Sequence, residues 1–137
     1  MAVEETVLLK IGEVASNSGV PIKTIRYYEQ LGLLKAAKRT DGHFRLFKPS
    51  VIRRLALIKR LQSLGLTLQE ISECLAVYDH GNLPCGSIQE KLEKQVTKID
   101  QRIEALMLLR NELTDLLQHW STSPEEKPGV ICPNLEV

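Results

Sequence analysis

Residues 87–120, "SIQEKLEKQVTKIDQRIEALMLLRNELTDLLQHW", contain neither glycine nor proline, and their apolar side chains recur every seven residues. Leu92, Ile99, Leu106, Leu113 and Trp120 occupy one heptad position. Val96, Ile103 and Leu117 fill the other, with Arg110 as the polar exception. The pattern predicts one helix from about Ser87 to His119, roughly 50 Å long at about 1.5 Å per residue. A seam of two positions per heptad suits a coiled-coil partner, and nothing else in the chain repeats it, so the helix is expected to pair with a copy of itself. Packing onto the N-terminal part of the chain is the alternative. Cys85 lies seven residues before Leu92, in phase with the first series.

The N-terminal half reads as shorter elements. Ile11, Val14 and Ala15 give a first helix its apolar face, and "SNSG" ends it at Gly19. Pro21 suits the opening of a second helix, where a missing N–H costs little. Ile22 and Ile25 are its inward candidates, sharing a face with Tyr28 or Glu29, and Gly32 stops it. Two short helices joined by a tight glycine turn are the helix-turn-helix pattern. Beyond them Asp41-Gly42 is a hairpin signal, with Phe44 and Leu46 alternating with His43 and Arg45, which predicts a two-stranded wing. Pro49 and Ser50 open a third helix with Val51, Leu55, Ile58 and Leu61 on one stripe. After a break at Gly65, Thr67 and Glu70 form a capping box for a fourth helix reaching about Val77. "YDHGNLP" is a linker, and residues 121–137 are a polar, proline-containing tail.

Charge divides along the same line. Residues 21–60 carry 11 Lys or Arg against Glu29 and Asp41, whereas residues 61–137 carry 6 basic and 12 acidic residues. A basic end suits a polyanion, and an acidic end suits a separate partner or effector. The chain is 43% hydrophobic but only 4% aromatic, so its core must be aliphatic. Apolar runs are far shorter than the roughly 20 residues of a membrane span. No signal-peptide pattern opens the sequence, so a cytoplasmic location without membrane association is expected. Three cysteines in such a setting suit packing, metal binding or redox chemistry rather than a disulfide framework.

"IGEVASNSGVPIKTIRYYEQLGLL", "RTDGHFRLF" and "IKRLQSLGLTLQEI" together resemble the MerR family of bacterial transcription regulators, in particular its metal-responsive branch. The resemblance runs from about Leu9 to Leu135, and "TIRYYE" followed by "GLL" is its most specific part. It implies a mainly α fold: a winged helix-turn-helix domain, a long antiparallel dimerisation helix and a short C-terminal effector segment. The corresponding divisions are residues 1–80, 81–120 and 121–137. The wing departs from the family pattern, which usually has Gly-Tyr-Arg where this chain has His43-Phe44-Arg45, and Phe44 lacks a hydroxyl for a phosphate.

On the second helix Lys23, Thr24, Arg26 and Tyr27 are left to face a DNA groove once Ile22 and Ile25 turn inward. Lys, Thr and Tyr suit phosphate contacts, and Arg26 can pair with guanine through two hydrogen bonds. Arg39 and Arg45 in the wing are expected to clamp phosphates, with Arg53 and Arg54 at the head of the third helix adding contacts.

If two long helices pair antiparallel, Cys85 of one chain approaches Cys132 of the other, giving two equivalent thiol pairs. Facing thiolates suit Cu(I) or Hg(II), and Zn(II) or Cd(II) when further ligands join. The resemblance points the same way, because metal-sensing members carry a cysteine just before the dimerisation helix and a loop ending in Cys-Pro, as Cys132-Pro133 does here. Many of them have another cysteine where this chain reads "LLQHWSTS". His119 is a candidate ligand there, or else a helix cap, and His80 or Asp79 are further candidates to complete the sphere. Cys74 reads as a packing residue within the fourth helix.

The resulting expectation is a homodimeric, metal-responsive activator that distorts promoter DNA for RNA polymerase holoenzyme. A thiol-redox regulator is the first alternative, and a metal-buffering or adaptor protein that does not bind DNA is the second. An enzyme is disfavoured, because no catalytic triad, phosphate loop or carboxylate pair is suggested.

Overall fold

The stripe of Val51, Leu55, Ile58 and Leu61 organises the N-terminal part of the protein. All four are buried on one face of a helix spanning Ser50–Ser63. In the computed structural model, which describes residues 7–42 and 44–136, this helix is the third of five. In chain order the elements are β1 (Leu9–Lys10), α1 (Ile11–Ser18), α2 (Ile22–Gln30), β2 (Lys38–Arg39), β3 (Arg45–Phe47), α3 (Ser50–Ser63), α4 (Leu68–Asp79) and α5 (Cys85–Gln118). His43, expected to alternate with Phe44 in the wing, lies outside the described residues. The chain divides into two compact units, one ending at Gln95 and the other beginning at Val96.

In the first unit, α1 contributes Val14 to the core, α2 contributes Ile25 and Tyr28, and α4 contributes Ile71 and Leu75. Among the described residues, Phe47 and Tyr28 are the only aromatic members of this core, which is otherwise aliphatic. α1 ends where Gly19 adopts φ 72°, and the Gly19 N–H bonds the Ala15 carbonyl at 2.9 Å. A Cβ is disfavoured in that left-handed conformation, which is why glycine makes the turn into α2. The capping box forms as the sequence predicts: Glu70 N–H donates to Thr67 Oγ1 at 3.1 Å, and Thr67 N–H to Glu70 Oε1 at 3.0 Å.

Three local expectations change. Ile22 is 38% exposed, because Ile25 and Tyr28 at i and i+3 make the buried stripe and Ile22 falls at its margin. The wing is a three-stranded antiparallel sheet in the order β1-β3-β2, with Leu9 opposite Phe47 and Arg39 opposite Arg45. Strand β1 covers what would otherwise be an open edge of β3. Helix α4 continues two residues past Val77, and His80 caps it through its N–H to the Ala76 carbonyl at 3.1 Å.

The first turns of α5 belong to this unit. Ile88 and Leu92 pack on its core. Lys91 Nζ pairs with Glu73 of α4 at 2.8 Å, and Gln95 Nε2 donates to the Leu64 carbonyl at 3.4 Å. Packing onto the N-terminal part therefore holds for this short stretch, although Leu92 also keeps the heptad phase.

The second unit contains the rest of α5 and the C-terminal loop. Here the seam is open: Val96, Ile99, Ile103, Leu106, Leu113, Leu117 and Trp120 are each between 40% and 67% exposed. No helix among the described residues is long and apolar enough to cross a membrane.

Candidate nucleic-acid interface and thiol positions

The amphipathic split of α2 decides which side chains can meet a ligand. With Ile25 and Tyr28 turned into the core, Lys23, Arg26 and Tyr27 stand exposed and Thr24 is half-buried. The Tyr28 hydroxyl donates to Gln62 Oε1 of α3 at 2.7 Å, which locks the rotation of α2 about its axis. Burial raises the pKa of that hydroxyl, with the Gln62 bond acting in the opposite sense, so it stays protonated. A helix held in this way presents Arg26 and its neighbours as a fixed edge.

The wing arginines separate into two kinds. Arg39, on β2, is exposed. Arg45, on β3, is half-buried, and its Nε pairs with Glu29 Oε1 near the end of α2. That pair ties the wing to α2, so Arg45 sets the spacing between these two elements. By periodicity alone Glu29 only shares a face with Ile22 and Ile25. Its signal was its isolation, since it is one of two acids in a strongly basic stretch.

The two arginines at the head of α3 differ as well. Arg53 is exposed. Arg54, expected to reach DNA, is instead committed inside the unit. Its Nε donates to the Leu33 carbonyl at 2.5 Å, and its two terminal nitrogens donate to Asp79 Oδ1 and Oδ2 at 2.7 and 2.9 Å. This fork joins the turn after α2, the start of α3 and the last residue of α4. The hydrogen bond from Arg54, helped by the charges of Arg54 and Lys35, holds the Asp79 carboxyl below its usual range. Asp79, considered as a metal donor, is thus satisfied by a guanidinium.

All three thiols are free. Cys74 is buried, with its Sγ 3.6 Å from Ser87 Oγ, which fits the packing role expected of it. Cys85 is exposed at the first residue of α5, and Cys132 is half-buried in the C-terminal loop. His119 donates from Nδ1 to the Asp115 carbonyl at 3.0 Å, and His80 donates from Nδ1 to the Ala76 carbonyl at 2.6 Å. Each ring therefore closes a helix end. Among the described residues of one chain, no group of three or more His, Cys, Asp or Glu side chains is gathered to hold a metal ion. The donors that suit a soft ion are the two accessible thiols.

Comparison with known proteins places this geometry. Residues 9–77 match the profile of the MerR HTH family regulatory proteins, and residues 52–116 match that of MerR, DNA binding. The chain is 37% identical over 127 residues to the mercuric resistance operon regulatory protein of Bacillus cereus, covering 93% of this chain and 94% of that one. Its structure resembles that of the transcription regulator PbrR691 from Ralstonia metallidurans CH34 in complex with lead(II). There the TM-score is 0.72 at 29% identity, covering 85% of this chain and 91% of that one. It also resembles the dual function transcriptional regulator MerR from Bacillus megaterium MB1 in complex with mercury(II), with a TM-score of 0.61 at 32% identity over 92% and 95% of the two chains. Helix-turn-helix, wing, long helix and these matches agree: the chain belongs to the MerR family of DNA-binding transcription regulators, not to a family of enzymes.

Proposed function

We propose that the protein is a homodimeric activator of transcription that responds to a thiophilic metal ion bound between subunits. The observation that carries the dimer is the open heptad seam of α5 from Val96 to Trp120. Pairing this surface with a second, antiparallel copy buries it, and the same arrangement assigns Cys85 of one chain and Cys132 of the other to a shared site. Two thiolates donate to Hg(II) or Cu(I) without further ligands, and to Zn(II) or Cd(II) with added ones. Hg(II) stands first because relatives of this chain include a mercuric resistance regulator and a mercury(II) complex. Asp79 is left out of the site because Arg54 satisfies its carboxylate, whereas His119, whose Nδ1 donates to the Asp115 carbonyl, keeps Nε2 as the candidate for a further ligand.

On the DNA side, Lys23, Thr24, Arg26 and Tyr27 enter the major groove, Arg39 and Arg53 contact phosphates, and Arg45 holds the wing in register with α2. Metal occupancy favours one arrangement of the two DNA-binding units, and the promoter is distorted to suit RNA polymerase holoenzyme. The setting for this role is the cytoplasm.

The test is metal stoichiometry of the reduced dimer, measured on wild type and on Cys85→Ser and Cys132→Ser. Loss of binding in both variants is expected, and undiminished binding in both would contradict the site. Because both thiols are free and accessible, a redox reading remains the second one. Promoter activation by an oxidant under metal chelation, with none by Hg(II), would favour it.

A further inference from the structure

The C-terminal loop is tied to itself by side chains, with no strand or helix to close it. Asn134 clasps Ser121 twice: the Ser121 N–H donates to Asn134 Oδ1 at 2.8 Å, and Asn134 Nδ2 donates to the Ser121 carbonyl at 2.9 Å. Glu136 makes a second clasp, accepting the N–H groups of Ile131 and Cys132 on Oε2 at 2.8 and 2.5 Å. The Cys132 carbonyl in turn accepts from the N–H groups of Leu135 and Glu136 at 3.1 and 3.0 Å. Both backbone groups of Cys132 are therefore held, and so is the base of the loop that carries it.

This loop contains one thiol. A metal ion cannot close it by bridging two cysteines of the same loop, because the segment from His119 to Ser123 supplies none. Closing and ordering such a segment costs conformational entropy, and a ligand that had to impose that order would bind more weakly by the same amount. An amide that makes two reciprocal bonds to one residue supplies that order from within the chain.

We propose that Asn134 and Glu136 are positioning residues for the Cys132 thiol, holding the loop closed in the metal-free protein so that capture of a soft ion needs no ordering step. This rests on the assignment of Cys132 as a metal ligand. The positioning variants are Asn134→Ala, which removes both Ser121 bonds, and Glu136→Ala, which removes the Ile131 and Cys132 bonds. Glu136→Gln keeps an acceptor and serves as the conservative control.

Two readouts are taken on the full-length dimer. Hydrogen exchange of the metal-free protein should show the Ser121 amide losing protection in Asn134→Ala, and the Cys132 amide in Glu136→Ala. Hg(II) titration against a competing thiol should show each alanine variant weakened about 10-fold, the usual scale for residues that orient a ligand. Stoichiometry should be unchanged, and Glu136→Gln should stay near wild type. Unchanged exchange would overturn the clasp, and altered exchange with wild-type affinity would overturn its role in metal capture. Cys132→Ser is the separate control: Hg(II) binding that survives it would sink the ligand assignment itself, whatever the alanine variants do.

Discussion

At the scale of single residues, the fork of Arg54 is the contact with the clearest energetic consequence. Its side chain is mostly buried, whereas the Asp79 carboxylate is half exposed, so solvent screens the pair and the full strength of a charged hydrogen bond does not apply. Arg54→Ala should nonetheless destabilise the protein by about 1–2 kcal/mol, because the Leu33 carbonyl loses a partner as well. Urea unfolding at fixed protein concentration measures this. The pH dependence has a definite sign. A carboxyl whose pKa is depressed in the folded state contributes stability above its unfolded pKa, near 4 for Asp, and loses it as pH falls through the folded value. Wild type should therefore lose stability below about pH 4 more steeply than Asp79→Asn. An identical acid slope in the two would show that the pair contributes nothing. The sequence made Arg54 and Asp79 visible separately, as a DNA contact and a metal donor. Nothing in it revealed that residues 25 positions apart satisfy one another, because that follows from where α4 ends relative to α3.

At the scale of elements, local periodicity carried most of the information. The stripe of α3 and the capping box of α4 are encoded within a few neighbouring residues and could be read directly. Strand β1 could not, since two residues carry no period and β1 exists only because β3 offers it an edge. Helix α2 was legible except at Ile22, where only packing decides between the core and its margin. Arg26→Ala should lower operator affinity and relax discrimination at one base pair, at a cost of about 1–3 kcal/mol. Arg39→Ala should weaken binding evenly across DNA sequences and reduce the salt dependence by roughly one counterion. Mobility shifts on operator and mutated operator over a salt series separate these effects. If Arg26→Ala weakened all sequences equally, Arg26 would be a phosphate contact rather than a base reader.

At the scale of the whole molecule, α5 serves two purposes along its length. Its first turns complete the core of the N-terminal unit through Ile88 and Leu92, and its later turns carry an apolar seam that the described residues of the same chain do not cover. Heptad spacing alone could not separate these, because Leu92 keeps the phase of the seam while belonging to the core. Ile103→Glu should therefore give a monomer by analytical ultracentrifugation whose N-terminal unit keeps its near-UV signature, whereas Leu92→Ala should reduce the stability of that unit. A dimer that survives Ile103→Glu would place the association surface elsewhere. The two thiols of the proposed site were visible in the sequence as isolated positions. The clasp by Asn134 and Glu136 was not, because it depends on how a loop without secondary structure closes.

In the proposed site each metal ion takes one thiol from each subunit, and mixed dimers separate this from a site within one chain. Neither Cys85→Ser nor Cys132→Ser homodimers retain a complete pair. A heterodimer of one chain of each kind brings the intact Cys85 of one subunit to the intact Cys132 of the other. Hg(II) binding to the purified heterodimer should return to half the wild-type stoichiometry. A heterodimer that binds no more than the two parent variants would contradict the intersubunit site.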